Sequence, residues 1–208
     1  LCALAGESGC YPGSGIQIDP VAGEVSFAGI FHPGRYNALL SFPRHHHFIV
    51  WAEGRAARNA LITTTVGDRD IQAALESLGG VPGNNLTQAS WDARHDPDHP
   101  DPDRHVKGTP ITVSLCWSDN PPVGPAQLLN DRAGLGYDFR FGGHADLIPV
   151  WRSGCIVCLE SCPGGRVSNA AYTLRDHAEG RARFDEAEGL PADGTPVRIT
   201  LKIARQPR

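Results

Sequence analysis

A chain of 208 residues, 40% hydrophobic and 20% charged, holds enough apolar material for one sizeable core or two small ones. A net charge of −4 with no Lys/Arg cluster excludes a nucleic-acid surface and a patch for anionic membrane. No apolar run is long enough to span a bilayer as a helix.

The 24 glycines and 17 prolines predict many turns and short strands. The chain starts at Leu1 and has no methionine, which predicts that an N-terminal segment has been removed, either as a signal peptide or by trimming. Six cysteines fit an oxidising, periplasmic or extracellular compartment.

Residues 1–14 read as an irregular lead-in, and residues 15–208 as a single domain. Cys2 and Cys10 could close a short loop, or either could bond to a distant cysteine. Residues 15–19 and 24–31 alternate apolar and polar around a turn and predict a β-hairpin. Residues 36–42 form a further candidate strand. His45-His46-His47 then opens a strand to Trp51, with His45 and His47 on one face.

Residues 59–66 are rich in β-branched side chains. Residues 67–79 carry the clearest helix pattern. Asp68 is the candidate N-cap, Ile71, Ala74, Leu75 and Leu78 form one stripe, and Gly79-Gly80 stops the helix. Residues 84–108 include a stretch without apolar residues, 94–105, and predict an exposed Asp/His/Pro loop. Residues 109–117 and 137–141 alternate as strands. Residues 147–151 and 155–159 predict a hairpin, 175–188 a solvated helix or loop, and 195–203 a closing strand.

Several of these segments carry a family resemblance. They are the helix with Ala-Ala-Leu-Glu-Ser-Leu-Gly-Gly-Val-Pro-Gly at 73–83 behind a His-bearing strand, and the strand at 113–117. The Tyr-Asp-Phe-Arg-Phe-Gly-Gly segment at 137–143 and the later strand ending near Asn169 complete the set. The chain resembles the YdjY-like domain family from about residue 15 to about residue 203. The resemblance implies a bacterial, exported or envelope-associated protein. It implies no catalytic set, so the candidate sites come from the residues themselves.

Cys155, Cys158 and Cys162 crowd into eight positions ahead of Pro163-Gly164-Gly165. Their spacing matches the tail of a ferredoxin run, with Arg152 where a leading ligand would fall and Cys116 as an outside fourth. Tetrahedral zinc on the same four, or with a histidine, is a second option. Disulfides are the third. On a regular strand Cys155 and Cys158 face opposite ways, so Cys158–Cys162 and Cys155–Cys116 is one workable pairing.

His45 and His47 could bind zinc or copper on a sheet face, with His32 or His144 completing the site. Asp96, Asp98, Asp101 and Asp103 alternate like a Ca²⁺ loop, but the glycine and distal glutamate of an EF-hand are missing. No nucleophile elbow, phosphate loop or zinc-protease helix occurs.

The fold class expected is α+β: a mostly antiparallel, strand-rich, sandwich-like domain with one packed amphipathic helix. The function expected first is non-catalytic binding without a cofactor, as an accessory subunit with protein partners in an envelope or extracellular assembly. The alternative is a redox accessory protein holding zinc, copper or an iron–sulfur cluster on the 155–162 cysteines.

Overall fold

The structure is a computed structural model that describes residue 10 and residues 15–37, 46–118 and 120–204. The chain runs β1 (Gln17–Asp19), β2 (Glu24–Phe31), α1 (Pro33–Asn37), β3 (His47–Trp51), β4 (Ile62–Thr64), α2 (Asp68–Ser77) and α3 (Gln88–Asp92). It continues through β5 (Ile111–Cys116), β6 (Leu129–Asp131), β7 (Phe139–Phe141), α4 (Ile148–Trp151), β8 (Cys155–Cys158) and β9 (Val167–Asn169). It closes with α5 (Leu174–Ala178), β10 (Phe184–Glu186) and β11 (Pro196–Ile203).

Period-two patterning builds the longest strands. Val25, Phe27 and Phe31 of β2 are buried, and so are Val197, Ile199, Leu201 and Ile203 of β11. Antiparallel register sets Phe27 opposite Ile199 and Val25 opposite Leu201, while Val113 and Leu115 of β5 face β11 from its other side. Ile71 and Leu75 of α2, fully buried, join the same core.

The strands form one nine-stranded sheet in the order β5-β11-β2-β4-β3-β8-β9-β7, with β1 on β2; β10 and β6 pair separately. The pairing is mostly antiparallel, as expected, but β3 runs parallel to β4 and β8 parallel to β9. The sheet nearly closes: a bridge between Pro110 and Arg140 joins its β5 and β7 ends. This is one curled sheet rather than two stacked ones, and several short helices accompany α2. Curling puts β8 mid-sheet with both faces covered, so every residue of β8 is buried.

Local expectations fail where tertiary pairing or helix chemistry overrides patterning. Tyr36 lies in α1, not in a strand; the remainder of that expected strand, residues 38–42, lies outside the described residues. The expected hairpin partner of β8, residues 147–151, is helical, with Pro149 at the start of α4 where a missing N–H costs nothing. β8 pairs with β3 and β9 instead. Gly67, not Asp68, occupies the N-cap of α2.

The Asp/His/Pro stretch of the 84–108 segment is largely exposed, but the segment is also anchored at several points. Thr87 and Ser90 form a capping box that starts α3, and Leu86, Pro102 and Val106 are buried. Arg175 clamps the segment through Asp103 and the carbonyls of Asp96 and His99.

Candidate functional site: a cavity ringed by cysteine and histidine

The site grows from an irregularity in β8. Val50 pairs with Cys155 and Ile49 with Val157, which leaves Ile156 as an extra residue on β8; His47 then pairs with Cys158, which leaves Phe48 as an extra residue on β3. A bulge shifts side-chain parity by one. Cys155 and Cys158 therefore share a face, and the structure joins them as a disulfide with Cα atoms 6.5 Å apart. This corrects the expectation that they face apart, which assumed a regular strand.

Cys116 is bonded to Cys10, with the two Cα atoms 5.2 Å apart. It lies on β5, at the far end of the sheet order from the β3–β8 region, and is neither a partner nor a fourth ligand for the 155–162 group. Cys162 is a free, buried thiol, so the suggested Cys158–Cys162 and Cys155–Cys116 pairs do not form. Cys2 and His45 lie outside the described residues.

Parallel neighbours ordinarily need a crossover of a dozen or more residues, usually helical. β8 and β9 are joined by residues 159–166 alone. That tight loop is held from inside. Gly165 N–H and Ser168 Oγ both donate to the Cys162 carbonyl, at 3.2 and 3.3 Å, and Gly164 N–H donates to the Cys162 sulfur at 3.4 Å. A Cβ on Gly165 would lie 3.0 Å from the Cys158 sulfur and 2.6 Å from Ser168 Oγ, so only glycine leaves room there. Burial pushes the Cys162 thiol up to about 12, with the neighbouring Glu160 charge adding to the shift.

His47 sits opposite Cys158 across the β3–β8 pair. One ligand atom from each of His47, Cys155 and Cys158 lies within 4.8 Å of the others. His46, Glu160 and His177 meet the same criterion as a second group. The His46 and His47 rings are 3.9 Å apart, so the two groups adjoin.

Glu160 follows β8 and has no exposed surface. His177 Nδ1 lies 2.7 Å from one of its oxygens and His46 Nδ1 3.9 Å from the other. The shorter contact has the length of an ion pair but misses hydrogen-bond geometry: among the described residues neither Glu160 oxygen has a hydrogen-bond partner.

A cavity of about 320 Å³ opens over these groups, lined by His46, His47, Cys155, Cys162, Trp91 and Trp151 among others. Two indoles form its cover. Trp91 on α3 meets Trp151 on α4 edge to face at 5.2 Å, and Trp151 Nε1 donates to Gln88 Oε1. Arg94 stacks 4.2 Å over Trp91 and fixes its plane. A larger hollow of about 380 Å³ beside Trp51 and Pro149 gathers none of the cysteines or histidines.

The YdjY domain model matches residues 16–202. "Uncharacterized protein YdjY" of Escherichia coli (strain K12) is 32% identical over 222 residues, covering 98% of this chain and 92% of the relative. The chain belongs to the YdjY family. No solved structure matches it.

Within this YdjY domain the other candidate ligands stay apart from the cavity. His32 Nε2 bonds Thr63 Oγ1 at 2.8 Å, and burial together with Arg35 holds its pKa below the ordinary histidine value. Asp103 is taken by Arg175, and Asp101 by Arg104 at 2.7 Å. His144 accepts Leu86 N–H at 3.2 Å, and burial, with Arg166 nearby, lowers it to about 4.

The folded protein thus keeps His144 neutral, and its unfolded form binds a proton near pH 6.5. The resulting stabilisation is complete above pH 6.5 and is lost as pH falls towards 4, by about 3 kcal/mol. His144→Asn, which tolerates the left-handed backbone (φ 55°), is expected to flatten that slope. Urea unfolding at pH 7 and pH 4.5 measures it.

Glu160, His177, His46 and the two tryptophans are absent from the sequence-derived site. Two signals marked them. Thr173 and Asp176 have the capping-box spacing that starts α5 and aims His177 inwards. Glu160 is a carboxylate set between a run of buried β residues and a cysteine.

Proposed function

We propose that this YdjY-family protein is an extracytoplasmic redox accessory protein whose reduced 155–162 cysteines bind a thiophilic metal ion. The ligands are His47, Cys155 and Cys158, with Cys162 in the same buried cluster as a further thiol. Zinc or copper(I) suits imidazole and thiolate together.

The observation that carries this reading is the convergence of His47, Cys155 and Cys158 at ligand distance, with His47 and Cys155 on the wall of one cavity. Magnitudes favour it over sulfurs that only cross-link. A link closing three positions restricts the unfolded chain by roughly 2 kcal/mol, against roughly 4–5 for the 106-residue separation of Cys10 and Cys116. The 155–158 bond is a weak staple in a mid-sheet position that needs none.

The bonded pair is the oxidised, metal-free form. A dithiol reductant transfers two electrons and two protons, becomes a disulfide itself, and leaves two protein thiols. The metal ion then displaces those two protons as it binds. The Cys10–Cys116 bond supports an oxidising compartment. No helix among the described residues is long and apolar enough to cross a membrane. A role as a subunit of an envelope assembly remains compatible with metal carriage.

Metal analysis of protein purified under reducing conditions tests the proposal alongside a thiol count. Near-stoichiometric zinc or copper that is released when the thiols are oxidised supports it. Metal-free protein with Cys155 and Cys158 reduced and zinc in excess contradicts it.

A further inference from the structure

We infer that His46, Glu160 and His177 form a second, separate cation site beside the thiol site. It would take a divalent ion of borderline softness, such as Zn²⁺, Co²⁺ or Fe²⁺. Two imidazoles and one carboxylate are the donor set such ions prefer. The inference stands on residues other than the cysteines and does not rest on the thiol proposal.

Three observations carry it. Glu160 is fully buried, and among the described residues neither of its oxygens has a hydrogen-bond partner. An ionised carboxylate left so is costly in a protein interior, and a coordinated cation removes the cost. Each Glu160 oxygen faces one imidazole Nδ1, at 2.7 and 3.9 Å. Bonds of about 2.0–2.2 Å from a shared ion to nitrogen and oxygen need ligand atoms spaced in this range. The rings also stand edge to face, with centroids 4.6 Å apart, so both can point at one ion without stacking.

The three ligands come from separate elements whose geometry is set independently. His46 precedes β3, and its carbonyl accepts Leu159 N–H at 2.8 Å. Glu160 sits in the short loop between β8 and β9. The Thr173 capping box starts α5 and presents His177, whose ring lies 5.9 Å from Trp91. His46 lines the cavity, so the site has an approach from solvent at that ligand. Three protein ligands with an open side make a site able to bind an exogenous molecule.

The oxidised protein separates the two sites, because its Cys155–Cys158 bond removes both sulfur ligands of the His47 group and leaves only Cys162, which is outside that group, as a free thiol. Co²⁺ titration of the oxidised protein is expected to show one equivalent bound, with ligand-field bands but no thiolate charge-transfer band. Glu160→Gln and His177→Gln should each weaken that equivalent by at least about tenfold. The thiolate charge-transfer band of the reduced variants should keep wild-type intensity. Melting of the metal-free variants checks folding; if Glu160→Gln does not fold, His177→Gln and His46→Gln carry the test. No Co²⁺ bound by the oxidised protein, or equal affinity in the folded variants, overturns the inference. Loss of the charge-transfer band alone would count against the thiol site and leave this one standing.

Discussion

The double substitution Cys155→Ser/Cys158→Ser is expected to abolish metal binding at the thiol site, leaving the His46–Glu160–His177 group and the fold intact. A structural zinc site is worth about 10–16 kcal/mol over its ligands, so two thiolates account for several kcal/mol. The expected loss in affinity is at least about 1,000-fold. The stability cost is small by comparison, because the bond closes only three positions and contributes roughly 2 kcal/mol. Chromophoric chelator competition on the reduced proteins measures the first effect and urea unfolding the second. Serine variants that keep wild-type affinity would remove the cysteines from the site. A collapse of folding with no change in metal content would make the bond a staple after all.

Arg166→Met is expected to have the largest effect on stability. Arg166 is 1% exposed, and its guanidinium donates to Gln72 Oε1, the His144 carbonyl and the Gly164 carbonyl. Burial lowers its pKa to about 10, partly offset by Asp68, which is itself buried. Replacing a whole buried ion pair by apolar side chains can be neutral. Here two of the acceptors are backbone carbonyls, which no substitution removes. The cost should be about 3–5 kcal/mol, or roughly 6–20 °C in Tm. Because Gly164 is in the loop around Cys162, the variant should also loosen the thiol cluster, read as faster alkylation of Cys162. A change below about 1 kcal/mol would mean that water or a neighbouring side chain takes over those carbonyls.

The sheet strands were legible wherever one face meets water. β2, β5 and β11 alternate along their length, and the structure buries the alternate residues that their sequences mark. The α2 stripe was legible for the same reason, one buried face and one wet one. β8 is buried on both faces, so its sequence has no alternation from which to read a bulge. Spacing marks its cysteines, but regular-strand parity puts them on opposite faces, and the bulge at Ile156 reverses that parity.

The segment around α3 hid for a different reason. Its polar composition reflects capping and the Arg175 clamp as well as solvation, and five helical residues are too few for periodicity to show. Of the site itself, the cysteines and His47 could be read from the sequence. Glu160 and His177 could not be placed beside them, because their meeting depends on the short parallel crossover and on the turn that starts α5.

Optical titration of the fully reduced protein with Co²⁺ tests the central claim most directly. The account predicts an intense thiolate-to-metal charge-transfer band that saturates at one equivalent, disappears when the Cys155–Cys158 bond is re-formed, and yields to zinc. Reduced protein that takes up Co²⁺ without that band, or takes up none, would contradict it.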